Sequence, residues 1–266
     1  MDHSNQEGEG KKEISDVKTF PINIGSKEIN QDINHDENIF SKLTEEEIIN
    51  QAINFHSQGN IIKASKYYQY FINKGFNDHR VFANYGGILK NLGKFKEAKI
   101  FLLKAINIKP GNASLHFNLG NTLKDLGTLN EAAFSYRKAI EINPDFAMAY
   151  FNLGNILSDL GESKEAEFLY RKAIEIQPEF ANAHFNLGNI LRTDGQLNEA
   201  EFSYRKAIEI NPDFTMAHFN LGNILSDLEK LNEAEFSYRK AIKLQPDLAN
   251  SHFNLGNTLR NLGKSN

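Results

Sequence analysis

The chain has 266 residues, 40% of them hydrophobic and 24% charged, with 30 basic against 34 acidic side chains and a formal charge of −4. That composition supports a folded core, lacks the basic excess of a nucleic-acid binder, and with no cysteine excludes disulfides, thiolate metal sites and cysteine nucleophiles. The polar, acidic start (residues 1–10) has no signal-peptide core, and no run of about 18 apolar residues offers a membrane span, so a cytoplasmic location is expected.

Residues 1–44 are dominated by polar side chains, and their isolated Ile and Val follow no period. Such a segment buries too little apolar surface to offset the entropy of ordering it. The expectation is a mostly disordered tail, with a short docking element around Ile22–Ile24 as the one candidate feature.

From residue 45 to 266 the chain divides into blocks of 34 residues that begin at Glu45, His79, Ala113, Ala147, Ala181 and Thr215, with a partial block from Ala249. Pro110, Pro144, Pro178, Pro212 and Pro246 fall at one place in successive blocks. A period of this length marks a solenoid built from one supersecondary unit.

The block from Ala147 shows the unit. Tyr150, Leu153, Gly154 and Leu157 recur at spacings of three and four, the apolar stripe of an amphipathic helix. Gly161 interrupts as a C-terminal glycine would. Ala166, Tyr170, Ala173 and Ile174 form a second stripe, and Pro178 ends it. Each block is therefore two helices of about 12 residues joined by short turns. Gly154 and Ala166, with their counterparts Gly120, Gly188, Gly222, Gly256, Ala132, Ala200 and Ala234, lack bulk where the two helices must approach closely. A mid-helix glycine costs roughly 1 kcal/mol against alanine, so its recurrence argues for contact.

These residues resemble the tetratricopeptide repeat (TPR) family. In the block from Ala113 the family pattern falls on His116, Leu119, Gly120, Leu123, Ala132, Tyr136, Ala139 and Pro144. The next three blocks match as well, with Glu229 replacing the glycine between helices in the last of them. The first block departs, with Gln51 and Ala52 in place of Leu-Gly and Phe76 in place of Pro, and reads as a worn N-terminal cap. The resemblance implies an all-α fold, a right-handed superhelical solenoid of antiparallel helix pairs. It also implies a concave groove lined by the first helix of each pair.

If the first helix packs through repeat positions 4, 7, 8 and 11, positions 2, 5, 6, 9 and 12 share its other face. Position 6 is Asn50, Asn84, Asn118, Asn152, Asn186, Asn220 and Asn254; position 9 is Asn121, Asn155, Asn189, Asn223 and Asn257; position 5 is Phe117, Phe151, Phe185, Phe219 and Phe253. An asparagine amide offers an acceptor and donors, the complement of a peptide backbone. Helices stacked roughly 8–10 Å apart would let one such row meet an extended peptide about every third residue, at ~3.3 Å per residue. The phenylalanines would then be apolar anchors. The same residues also suit a second use: asparagines linking successive helices, and phenylalanines packing on the neighbouring repeat. The array looks similar to that of O-GlcNAc transferases, which carry an asparagine ladder along the groove. The carboxylate grip of TPR chaperone co-factors fits badly, since Phe117, Asn118, Asn152, Asn182 and Asn186 stand where cations would be needed.

Two patterns imitate chemistry. His116, His184, His218 and His252 recur once per block, too far apart to share one zinc, whose ligands each sit about 2 Å from it. They read as packing residues. The basic pairs after Tyr136, Tyr170, Tyr204 and Tyr238 read as a charge-balanced face, because Glu167, Glu201 and Glu235 each lie four residues before an arginine. No nucleophile grouping, phosphate loop or metal motif stands out. The expectation is a scaffold without catalysis or cofactor that binds protein or peptide, not nucleic acid or membrane. Two alternatives remain: a substrate-recruiting arm related to an O-GlcNAc-type glycosyltransferase, and self-association through the last helix, which keeps Phe253, Leu255 and Leu259 in the repeat pattern.

Overall fold

The computed structural model describes residues 42–263; the tail expected over 1–44, with its Ile22–Ile24 element, lies outside them except for its last three residues. Thirteen helices and no strand are present among the described residues: α1 (Glu45–Ser57), α2 (Ile61–Asn73), α3 (His79–Asn91), α4 (Phe95–Ile108), α5 (Ala113–Asp125), α6 (Leu129–Ile142), α7 (Ala147–Asp159), α8 (Ser163–Ile176), α9 (Ala181–Thr193), α10 (Leu197–Ile210), α11 (Thr215–Asp227), α12 (Leu231–Leu244) and α13 (Ala249–Asn261). The chain forms two compact units that divide between Thr128 and Leu129.

In the first unit α1 pairs with α2 and α3 with α4, and α5 packs on α4. Thr44 starts α1 with a reciprocal cap: its hydroxyl accepts from the Glu47 N–H, and the Glu47 carboxylate accepts from the Thr44 N–H. Asp78 caps α3, and Asn112 caps α5. The core joins Ile48, Ile49 and Ala52 to Tyr68, Phe71, Val81, Tyr85 and Ile88. Arg80 ties α3 to α1 through Glu46 at 2.7 Å and holds Asp78 at 3.0 Å.

In the second unit the pairs are α7 with α8, α9 with α10 and α11 with α12, with α6 packed on α7 and α13 on α12. Tyr136, Tyr170, Tyr204 and Tyr238 are among the largest fully buried side chains, each between two fully buried alanines of its own helix. The glycines of the first helices make this possible. A Cβ on Gly154, Gly188 or Gly222 would lie 2.8, 2.7 or 2.6 Å from Cε1 of Tyr170, Tyr204 or Tyr238. The small residue and the tyrosine ring are thus one feature.

The turns within the pairs end on a left-handed residue. Gly161 and Gly195 have φ of +83° and +76°, and the next N–H bonds back to the carbonyl five residues earlier. Glu229 takes the same turn with φ +57°, the one described non-glycine residue with positive φ. The later first helices lack a side-chain cap; Phe146, Phe180, Phe214 and Leu248 stand at their N-caps. Apolar packing replaces the cap: Phe180 is buried, with its ring centroid 4.7 Å from that of Phe151.

Candidate functional site

The asparagine and phenylalanine rows lie on the first helices, α1, α3, α5, α7, α9, α11 and α13, with Asn50 alone on α1. In the first unit Asn84 is buried, while Phe117, Asn118 and Asn121 are half-buried. In the second unit Asn152 and Asn220 are buried, and Asn155, Asn186, Asn189, Asn223, Asn254 and Asn257 are half-buried.

The rows are cross-linked in the second unit. Nδ2 of Asn186 donates to Oδ1 of Asn155 at 2.8 Å, Asn220 to Asn189 at 2.9 Å, and Asn254 to Asn223 at 2.8 Å. Each acceptor takes a second bond, from the hydroxyl of Tyr170, Tyr204 or Tyr238 at 2.9 Å. Every link thus joins the first helix of one repeat, its own second helix and the first helix of the next. Burial pushes these three phenols up to about 12.

Both uses of the asparagines are compatible with this arrangement. The internal bonds consume the position-9 carbonyl and one N–H of position 6. They leave the position-9 amide and the position-6 carbonyl, a donor set and an acceptor per repeat. The internal bonds also fix the side-chain rotamers, so these remaining groups are held in place.

The phenylalanines are less free than isolated anchors would be. Phe151, Phe185 and Phe219 are half-buried, with centroids 5.9, 5.9 and 6.2 Å from Tyr170, Tyr204 and Tyr238. Phe151 and Phe185 also lie 4.7 Å from Phe180 and Phe214, at the entry to the following helix. Phe253, on α13, is 70% exposed.

The histidines have a role that spacing alone does not reveal. Nε2 of His116, His184, His218 and His252 lies 2.8–3.0 Å from the carbonyl oxygen of Pro110, Pro178, Pro212 and Pro246. An N–H donated there satisfies a carbonyl that the proline turn leaves without a helical partner. No group of acidic and histidine side chains able to hold a metal occurs among the described residues.

The second helices carry the expected pairs: Arg171 to Glu167 at 2.8 Å, Arg205 to Glu201 at 2.9 Å and Arg239 to Glu235 at 3.0 Å. Further pairs run between repeats, from Arg137 to Glu165, Arg171 to Glu199 and Arg205 to Glu233. Beside them stands a row that the sequence reading passed over. Phe134, Phe168, Phe202 and Phe236, one per repeat, are 55–64% exposed. Their signal was a 34-residue recurrence two places after the buried alanine and two before the buried tyrosine, off the packed stripe.

Comparison with known proteins places this geometry. Family models described as TPR repeat match residues 120–161 and 222–263, and models described as tetratricopeptide repeat match 79–112, 147–180, 181–214 and 203–236. No curated protein matches. Among solved structures, MamA is 27% identical with a TM-score of 0.57, over 62% of this chain and 96% of MamA. YrrB, described as a TPR protein with an unusual peptide-binding site, is 24% identical with a TM-score of 0.60, over 70% of this chain and 96% of YrrB. The C-terminal part of a TPR-containing protein from Cytophaga hutchinsonii is 15% identical with a TM-score of 0.66, over 80% of this chain and 85% of that one.

Proposed function

Since the chain belongs to the tetratricopeptide repeat family, a fold of protein-interaction scaffolds, we propose that it binds extended peptide segments along the first-helix face, through the asparagine rows. The observation that carries this reading is the half-satisfied state of those rows. Asn155, Asn189 and Asn223 each accept two internal bonds, which leaves their amides to donate outward. Asn186, Asn220 and Asn254 donate inward and keep a carbonyl to accept. An extended backbone presents the complementary sequence of C=O and N–H groups, so recognition would depend little on side chains. Phe151, Phe185 and Phe219 would supply apolar surface at the edge of the bound chain.

No catalytic grouping enters this reading, and no helix among the described residues is long and apolar enough to cross a membrane. A recruiting arm for a glycosyltransferase would use the same face. Contact through α13 has one observation of its own: Phe253 is exposed, and nothing lies within 4 Å of a Cβ built on Gly256, where Gly154, Gly188 and Gly222 meet a tyrosine.

The test is a selection from a displayed library of unstructured peptides, followed by calorimetry on the enriched peptides. The Asn186→Ala/Asn220→Ala variant should bind them at least ten-fold more weakly while its helical circular dichroism is kept. The outer-face variant Phe202→Ser should bind them as the unaltered protein does. Equal affinity for the asparagine variant would remove the ladder from the mechanism.

A further inference from the structure

We infer that the outer face of the second unit is a self-association surface, which docks on the same face of a second copy with the facing second helices antiparallel. The inference is independent of peptide binding, since it uses the opposite helices of each pair.

The first observation is the row itself. Phe134, Phe168, Phe202 and Phe236 lie on α6, α8, α10 and α12 and are 63%, 55%, 62% and 64% exposed. A phenylalanine carries roughly 200 Å², so four rings at that exposure present on the order of 450–500 Å². That is more than half of the ~800 Å² that each partner gives to a standard interface. It also matches the largest apolar patch expected on a monomer, ~300–600 Å², which is commonly an interaction site.

The second observation is that the face has places for rings as well as rings. Between α8 and α10 lies a crevice of about 500 Å³, lined by Ile174, His184 and Leu187, with Phe202 and the Arg171–Glu199 ion pair also on its wall. One repeat on, Ile208, His218, Leu221 and Phe236 occupy the same sequence places. The residues that line this crevice therefore recur with the same period as the rings. A second copy is a partner whose spacing necessarily matches.

The third observation is charge. Each phenylalanine has a glutamate three residues before it and an arginine three residues after: Glu131 and Arg137, Glu165 and Arg171, Glu199 and Arg205, Glu233 and Arg239. A two-fold axis lying in the plane between the two faces, along the row, reverses the helix direction and keeps the order of the row. It sets each second helix against the same helix of the second copy. In that register the arginine of one copy meets the glutamate of the other: Arg171 faces Glu165 of the second copy, and Arg205 faces its Glu199. The parallel alternative sets like charges at the same height.

Sedimentation equilibrium of the full chain over a wide concentration range tests the inference. The expected result is a mass approaching twice that of the monomer. The Phe168→Ser/Phe202→Ser/Phe236→Ser variant alters exposed side chains only, so its helicity should persist while its dimer dissociation constant rises at least ten-fold. Phe253→Ser should leave association unchanged. Arg205→Glu should weaken the dimer, and adding Glu199→Arg should restore it; these two residues are not ion-paired to each other within one chain, so restoration reports a contact between copies. A protein that stays monomeric at high concentration overturns the inference. So does a dimer lost with Phe253→Ser but kept in the triple variant, or a charge swap that restores nothing.

Discussion

Nδ2 of Asn220 donates to Oδ1 of Asn189 at 2.9 Å, and the hydroxyl of Tyr204 donates to the same oxygen at 2.9 Å. One carbonyl therefore joins three helices, α9, α10 and α11, that belong to two repeats. Stability in a repeat array resides largely in such interfaces between neighbours. Asn189→Ala would strand two donors, of which the tyrosine hydroxyl is buried, and an unsatisfied buried group costs about 1–3 kcal/mol. Asn257 offers a control, because its Oδ1 accepts only from Arg260, an exposed contact at 3.0 Å. Urea titration should show Asn189→Ala destabilised by about 1–3 kcal/mol and Asn257→Ala nearly unchanged. Equal effects would mean that the shared oxygen does not couple repeats.

The glycines of the first helices should split in sign. Alanine is the better helix former by up to about 1 kcal/mol, so replacement stabilises where space allows. At Gly188 there is none, since the added carbon would lie 2.7 Å from Cε1 and 2.9 Å from Cδ1 of Tyr204. Overpacking of that kind costs typically 1–3 kcal/mol. At Gly256 nothing lies within 4 Å. Thermal melts should therefore rank Gly256→Ala above the unaltered chain and Gly188→Ala below it. A destabilising Gly256→Ala would show that the α13 face is covered in solution.

How much of this was legible in the sequence follows the same division. Period fixes what repeats, so helix pairs, the turn glycines and a close helix approach could be anticipated from Gly154, Ala166 and Gly161; that the ring of Tyr170 fills the space beside Gly154 is seen only in the packed pair. Period does not say which way a polar group turns. Asn155 and Asn186 could be assigned to one face, but not to each other, because their bond depends on the stacking of α7 on α9. The spacing of His184 marks a packing residue, whereas its bond to the Pro178 carbonyl depends on the path of the turn. The outer phenylalanines are hidden for another reason: an apolar residue off the packed stripe looks like noise in one repeat and becomes a pattern only when Phe134, Phe168, Phe202 and Phe236 are compared.

The buried tyrosines predict an alkaline limit to stability. A free phenol ionises near 10, and burial moves Tyr170, Tyr204 and Tyr238 up to about 12. Below pH 10 both folded and unfolded chains keep these protons, so the three groups leave stability independent of pH. Between pH 10 and 12 the unfolded chain releases protons that the folded chain retains, so stability falls as pH rises. Tyrosinate absorbance and far-ultraviolet circular dichroism, followed together, should show these phenols ionising only as helicity is lost. Ionisation of all tyrosines near pH 10 in a fully helical chain would contradict the buried hydrogen-bonded setting.

Glu229 tests the cost of a single turn. It stands where Gly161 and Gly195 stand in the preceding repeats, and it adopts φ +57° with the same closing bonds, Glu229 N–H to the Ser226 carbonyl at 3.0 Å and Lys230 N–H to Leu225 at 2.8 Å. For a residue with a Cβ the left-handed region costs roughly 1–2 kcal/mol, whereas glycine adopts it freely. The Glu229 side chain is exposed and lies outside the ion pairs that join Arg205, Glu201 and Lys230. Its removal should therefore forfeit little packing. Part of the gain is returned through the greater freedom of glycine in the unfolded chain. Glu229→Gly should raise the urea midpoint by an amount equivalent to about 0.5–1 kcal/mol, without changing the slope of the transition. A lower midpoint would assign the Glu229 side chain a stabilising contact that outweighs the strain of its turn.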